Sequence, residues 1–415
     1  MDLNNVSAAE YVKNIKDAIN ANQYAHEFYF PGAKAARKRQ NLRLAREIGV
    51  GLGSYPEKVA IDISKTLYSN IIVRFSFDSV GVCINNSEFI RELHSGMMRW
   101  AVVLIIDGNN TAYRALHTVQ LSHHGKDTSI LFGVMRMIYT MIKKWHPRSV
   151  IVCFDGGTPP YRKRLVPTYK AHRTKDESVD WGTVYGQMDE LCDMILPIHG
   201  ILTIRRKYCE ADDLMYHAAK MVQDRPYIVT TDADLLQAVD LRVCVINPST
   251  GKVFSADTFR RFTGLNWGAY LPYKVLFGDS SDGIPGVRWI GKKTAIKLVN
   301  FWINVSPSYD YDELCLDIDN FGILNKRQLE SLLSFGSERY CDAYNCMDLS
   351  IDRCGAHYSI LDAQWNEADY DGIRRILLAN GFSSLLEQGA EYTGSFSRLE
   401  RPEFDNTVRH PVVKL

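Results

Sequence analysis

Between residues 101 and 246 the chain keeps a rhythm that limits its fold severely: short unbroken apolar runs separated by stretches with helical spacing. The runs are "AVVLII" (101–106), "SVIVCF" (149–154), "ILTI" (201–204), "YIVTT" (227–231) and "RVCVI" (242–246). Between them "ILFGVMRMIYTMIKKW", "VYGQMDELCDMIL" and "DDLMYHAAKMV" carry apolar residues at helical intervals. A strand without polar alternation has both faces covered, and strands alternating with helices form a parallel sheet wrapped on either side. The expected fold class is α/β.

Acids follow these runs in register. The first run leads into Asp107, the second into Asp155, and the fourth into Asp232 and Asp234. Ligands of open α/β sheets bind outside the carboxyl ends of the strands. "YCEADDLM" follows the third run, so Glu210, Asp212 and Asp213 open a helix at the same edge. One Asp after a strand commonly caps the next helix, and an acidic first turn suits the helix dipole. Acids behind three strands plus an acidic helix start exceed what capping asks for. Two such charges about 4 Å apart repel by about 4 kcal/mol at an effective dielectric near 20. Oxygen donors without a companion His or Cys suit a hard cation, Mg²⁺ or Mn²⁺. Two ions about 3.5–4 Å apart serve phosphodiester hydrolysis. No GxGxxG follows the first run, and no nucleophile elbow is present.

Residues 156–178 form a long excursion carrying Arg162, Lys163, Arg164, Lys170, Arg173 and Lys175, with Tyr161 and Tyr169 interleaved. Cations tracking phosphates and rings stacking on bases suit a single strand. Downstream, "LFGDSSDGIPGVRWIGKKTAIKLV" adds Asp279 and Asp282, then a turn bounded by Gly286 and Gly291, with Lys292 and Lys293 opening a helix. Backbone N–H groups at such a turn fit a DNA phosphate and read no bases.

Net charge is +1, so a polyanion partner has to be argued from local patches. The nine cysteines include no CxxC pair, and reduced thiols are expected. No apolar run reaches membrane-span length and the N-terminus lacks a signal-peptide apolar region. Residues 1–96 read as a separate unit: helical spacing in "AAEYVKNIKDAI", a basic stretch "KAARKRQNLRLAREIG" expected as a solvated helix face, then helix mixed with strand-like alternation through "VGVCIN". Met97 and Met98 precede "RWAVVLIIDG", where a compact domain, or synthesis itself, would begin.

In order, "IIDGNNTAYR", "FDGGTPPYRKR", "PTYKAHR", "YCEADDLM", "TTDADLLQ" and "GDSSDGIPGVRWIGKKTA" resemble the flap endonuclease and 5′→3′ exonuclease family, particularly its bacteriophage-type members. The resemblance covers roughly residues 100–300 and extends to about 390, where "CMDLSID" resembles a closing strand-like segment. It implies a parallel-sheet, PIN-like 5′-nuclease core over 97–255 with a helical arch at 156–178. A helix–three-turn–helix DNA-binding region over 256–390 and a polar tail, 391–415, would follow.

It further implies that Asp107, Asp155, Glu210, Asp212 and Asp213 sit at or near a first metal site, and that Asp232, Asp234, Asp279 and Asp282 build a second. Lys170 and Arg173 would contact the scissile phosphate. Arg114, Arg162, Tyr169, Gly286, Gly291, Lys292 and Lys293 would meet DNA, in some members with K⁺ at the turn. Gly283 stands where many members carry Asn, and Trp289 where they usually carry Gly. The expected activity is a Mg²⁺-dependent 5′ nuclease on DNA with a 5′ single-stranded end or flap, in the cytoplasm of a bacterial or phage-infected cell. The same chemistry on RNA/DNA hybrids or free RNA, and a non-catalytic junction-binding protein, are the alternatives.

Overall fold

The computed structural model describes residues 58–62, 72–77, 80–85, 101–305, 310–318 and 322–406. The chain divides into two units, Met1–Trp100 and Ala101–Leu415. In the first, Lys58–Asp62, Ile72–Phe77 and Val80–Asn85 form a three-stranded antiparallel sheet in sequence order. The two N-terminal helical readings, and the segment between the first two strands, lie outside the described residues.

The second unit is built on six strands: β1 (Val102–Asp107), β2 (Ser149–Phe154), β3 (Leu202–Arg205), β4 (Arg225–Val229), β5 (Cys244–Ile246) and β6 (Val253–Phe254). Their order is β6-β5-β4-β1-β2-β3, parallel except for β6. Side chains alternate across the sheet, so β1 feeds two apolar layers. Val103 and Ile105 pack toward Leu214, Met215 and Ala218 of the helix Ala211–Met221. Leu104 and Ile106 pack with the helices Gly108–Thr118 and Ser129–Trp145. The helices concerned are α1 (Gly108–Thr118), α2 (Ser129–Trp145), α3 (Pro160–Leu165), α4 (Trp181–Glu190) and α5 (Ala211–Met221). The four strand residues named here are fully buried, which is why the apolar runs show no alternation.

Beyond the sheet come α6 (Ala256–Thr263), α7 (Tyr270–Phe277), α8 (Lys292–Val305), α9 (Tyr311–Asp317), α10 (Lys326–Phe335) and α11 (Ser337–Met347). "CMDLSID" is not a strand. Cys346 and Met347 end α11, Asp348 accepts the N–H of Ser350, and Asp352 collects the N–H groups of Gly355, Ala356 and His357 to start the next helix. The expected polar tail also needs correction up to residue 406. Helix Gly389–Phe396 buries Tyr392 and Phe396 completely, four residues apart on one face, with Tyr392 against Tyr139 of α2. Glu400 then donates its N–H to the Arg148 carbonyl.

Two of the cysteines are not free thiols. Cys209 is bonded to Cys354, with Cα atoms 5.4 Å apart, tying the loop before α5 to the segment after α11. Among the described residues, no helix is long and apolar enough to cross a membrane.

Candidate active site

The chain runs β1–β2–β3 to one side and returns at β4 beside β1, which places a topological switch point between β1 and β4. Asp107 ends β1, level with Cys153 of β2, and Val229, the end of β4, is level with Ile106. Asp155, Asp232 and Asp234 therefore leave the sheet at the same edge as Asp107.

Asp107 does cap α1, through Oδ1 and the Asn110 N–H at 2.8 Å. Its second oxygen takes the Thr230 hydroxyl at 3.0 Å. Asp155 Oδ1 accepts the N–H of Ala211, the first residue of α5, at 2.7 Å, and the Asp155 N–H donates to Asn109. Asp212 makes no hydrogen bond or ion pair among the described residues. Burial raises its carboxyl well above the ordinary range, and Asp232, Asp107, Asp234 and Asp155 raise it further by repulsion. Burial pushes Asp107 up to about 7, against the hydrogen bonds from Asn110 and Thr230 and with repulsion from Asp155 and Asp232. Asp234 is pushed up to about 6 by burial and Asp232, although Lys274 opposes the rise.

These acids do not converge tightly. No three of them bring ligand oxygens within 4.8 Å of one another among the described residues. The one compact group of metal-type ligands among the described residues, Cys209, Asp213 and Cys354, is spent already, since its sulfurs are bonded together and its carboxylate is paired with arginine. Asp107, Asp155, Asp212 and Asp232 offer only oxygens and form no ion pair among the described residues, which fits a hard divalent ion.

Glu210 and Asp213 belong to a different arrangement. Arg162, 2% exposed, grips both Asp213 oxygens at 2.8–2.9 Å and also bonds Glu210. Asp213 Oδ2 accepts the Glu210 N–H at 3.3 Å, the return half of a capping box. The capping explanation of "EADD" is thus correct for this pair, and Asp212 alone of the three acids faces the unpaired cluster. With both oxygens committed to a buried guanidinium, Asp213 is corrected from metal ligand to structural anion. The same geometry corrects Arg162 and Tyr169 as DNA contacts. Tyr169 is 3% exposed and donates its hydroxyl to Glu210 at 2.8 Å, so neither reaches a strand.

Residues 156–178 are laid down on this edge. Thr168 Oγ1 donates to the Gly283 carbonyl, and the Lys170 N–H to that of Asp282. Lys170 takes a left-handed backbone, φ 52°, and brings Nζ within 2.7 Å of Glu210 Oε1 and 3.9 Å of Asp282. Arg173 reaches Asp282 at 2.5 Å. Burial opposes ionisation of Glu210, yet Arg162 and Lys170 hold its carboxyl below the ordinary value. Asp279 is engaged by Ser281 through one oxygen and by Lys274 through the other. Lys163, Arg164 and Lys175 are exposed, and Arg114 is half-exposed on α1.

The glycine-bounded turn is close-packed. A Cβ on Gly286 would collide with the Phe277 carbonyl, and one on Gly283, φ 72°, with that of Thr168, so both positions require glycine. Gly291 has open space around it. Trp289 adopts φ 66°, the conformation a glycine would take. Lys292 and Lys293 open α8 and are exposed.

The chain matches the family described as 5′-3′ exonuclease, N-terminal resolvase-like domain, over residues 102–264. The 5′-3′ exonuclease of Aquifex aeolicus is 30% identical over 200 residues, covering 47% of this chain and 68% of that protein. That of Bacillus subtilis is 30% identical over 238 residues, covering 54% and 76%. The chain belongs to the 5′-3′ exonuclease family. The thermostable DNA polymerase I of Thermus thermophilus is 28% identical over 306 residues, 72% of this chain, but the chain spans only 34% of that polymerase's length. The T5 D15 protein, co-crystallised with metal ions, is 16% identical with a TM-score of 0.51, covering 68% of this chain and 98% of that one, which shows a shared fold.

Within this family member, sequence reasoning passed over Lys274. It lies in α7, "YLPYKVLF", where every neighbour from Tyr270 to Leu276 is buried. Its Nζ is 2.7 Å from Asp234 and also bonds Asp279. The signal was a single cation inside an apolar helix, five residues before Asp279. Asn109, Asn110 and Thr230, which orient Asp155 and Asp107, were likewise given no role.

Proposed function

We propose that this chain hydrolyses DNA phosphodiesters at or near single-strand/duplex junctions, as a 5′→3′ exonuclease and 5′-flap endonuclease serving DNA replication or repair in the cytoplasm. The observation that carries the reading is the set Asp107, Asp155, Asp212 and Asp232, gathered at the switch point without a paired cation. Its support is the pair of 30%-identical relatives named 5′-3′ exonuclease.

Asp107, Asp155, Asp212 and Asp232 would hold two or more Mg²⁺ or Mn²⁺ ions, with Asp234 alongside. Bound there, such ions supply an activated water and neutralise charge on the phosphate in flight. The protein's own part is orientation. Thr230 and Asn110 fix Asp107, while Asn109 and the Ala211 N–H fix Asp155. Lys170, beside Glu210, offers an ammonium that a phosphate oxygen can share, and Arg173 extends the positive edge. The turn from Gly286 to Gly291, with Lys292, Lys293 and a K⁺ ion, would hold the duplex backbone, and Arg114 would flank it.

The test is a 5′-flap duplex labelled at both ends, incubated with the chain in Mg²⁺ and in EDTA, beside Asp212→Asn. Mg²⁺-dependent cuts near the junction, lost in the variant, are expected. Binding without cutting in Mg²⁺ or Mn²⁺ would favour a junction-binding protein. Cutting only when the 5′ strand is RNA would redirect the substrate.

A further inference from the structure

Trp289 is 45% exposed and holds a left-handed backbone at φ 66°, an unfavourable combination for a bulky side chain. Two contacts from α10 keep it there. Gln328 Nε2 donates to the Trp289 carbonyl at 3.1 Å, and the Arg327 guanidinium carbon lies 3.4 Å from the centroid of the indole ring. Arg288 lies 4.9 Å from the same centroid. Arg288 and Arg327 are exposed, as are Lys292, Lys293 and Lys297 of α8 and Lys326 of α10, and none of the six forms an ion pair among the described residues. The Arg327 guanidinium, seated over the ring, makes no hydrogen bond among the described residues, so its N–H donors stay available to an anion. Because Arg327 covers the ring at van der Waals distance, the indole is a support for the cation and is not free to wedge between bases.

We propose that the Trp289–Arg327 stack, flanked by Arg288, is a second phosphate clamp that carries the duplex contact from the glycine-bounded turn onto α10. The ligand is the sugar-phosphate backbone of double-stranded DNA, read without base preference. Trp289 acts as a positioning residue for Arg327. The inference rests on the nuclease reading above and deepens it, assigning duplex selection to a tryptophan held in a left-handed backbone.

The experiment measures binding of the full chain to a 5′-flap duplex and to the matching single strand by fluorescence anisotropy in EDTA across a salt series. KM and kcat are then measured in Mg²⁺. Glycine takes φ 66° without steric cost, so Trp289→Gly is expected to fold at least as stably as the parent. Trp289→Gly and Arg327→Ala should each weaken duplex binding several-fold, lower the slope of log K against log salt by about one, and leave the single strand unaffected. KM should rise with kcat unchanged, and the double variant should be no weaker than Arg327→Ala. Unchanged duplex affinity and slope in either single variant would overturn the clamp alone. A parent chain that neither binds nor cuts the duplex would overturn both readings. Equal losses on duplex and single strand would overturn the assignment to duplex selection.

Discussion

Lys274 Nζ stands 2.7 Å from Asp234 Oδ1, at 13% and 23% side-chain exposure, inside the acidic edge of the sheet. The same ammonium bonds Asp279, so one lysine neutralises two of the acids expected as metal ligands. Lys274→Met would leave both carboxylates without that cation, with Asp234 beside Asp232 and Asp279. Breaking a fully buried pair costs about 3–5 kcal/mol and an exposed one under about 1. This intermediate site is expected to lose about 1–3 kcal/mol in EDTA. Mg²⁺ should restore more stability to the variant than it adds to the parent, because a divalent ion can take over the neutralisation. Thermal melts with and without Mg²⁺ check this. Identical Mg²⁺ shifts in the two proteins would remove Lys274 from the ion-binding edge.

The acids themselves set a pH dependence. Asp107 is raised to about 7 and Asp234 to about 6 in the folded chain, from an ordinary value of 3.8. Between those limits the native state holds more protons than the unfolded chain, so stability falls as pH rises. The loss begins near pH 4, proceeds through pH 6 and 7, and is complete above them. In EDTA the protein is expected to melt at a lower temperature at about pH 8 than at about pH 5. Mg²⁺, which competes with protons for the same oxygens, should stabilise more at the higher of these two pH values. A flat profile in EDTA would contradict the crowding of these groups.

Arg162 was expected on DNA and is instead buried between Glu210 and Asp213. Its Nε also donates to the Cys346 carbonyl, so it ties α3 and α5 to α11. Removing it strands the buried Asp213 carboxylate and leaves Glu210 with Lys170 and the Tyr169 hydroxyl, and Arg162→Ala should cost about 3–5 kcal/mol in urea unfolding. Lys163→Ala, one residue on and exposed, should change stability by less than about 0.5 kcal/mol. An Arg162→Ala protein as stable as the parent but weak on DNA would return the residue to the interface.

What the sequence made legible follows from range. The apolar runs and the acids behind them are local signals, and the sheet edge they imply is present, with Asp107, Asp155 and Asp232 where strand ends put them. Pairing across the fold was not legible. Nothing near Asp213 says that a guanidinium 51 residues upstream fills its pocket. Nothing near Cys209 announces Cys354, 145 residues away. Tyr169 sits among cations in sequence, yet a tertiary hydrogen bond to Glu210 buries it. The tail looked loose because "EYTGSFSRL" is mostly polar, while the spacing of Tyr392 and Phe396 that drives its burial takes only two residues. Lys274 was hidden in the opposite way, a charged residue in a helix whose apolar character dominates.

Lys170 joins both halves of the site. Its ammonium is 2.7 Å from Glu210 and 3.9 Å from Asp282, and its backbone is held to the Asp282 carbonyl, so its position does not depend on a free-standing arch. Glu210 keeps Arg162 and the Tyr169 hydroxyl when Lys170 is removed, so Lys170→Ala leaves no carboxylate stranded and should fold normally. A donor aimed where charge develops on a phosphate is worth far more in the transition state than in the bound substrate. Lys170→Ala is therefore expected to lower kcat on a flap duplex by about 10²-fold or more while its dissociation constant in EDTA stays within about threefold. Single-turnover cleavage beside anisotropy binding separates the two. Parallel loss of rate and affinity would make Lys170 a binding residue, and an unchanged rate would leave it only a counter-ion for Glu210.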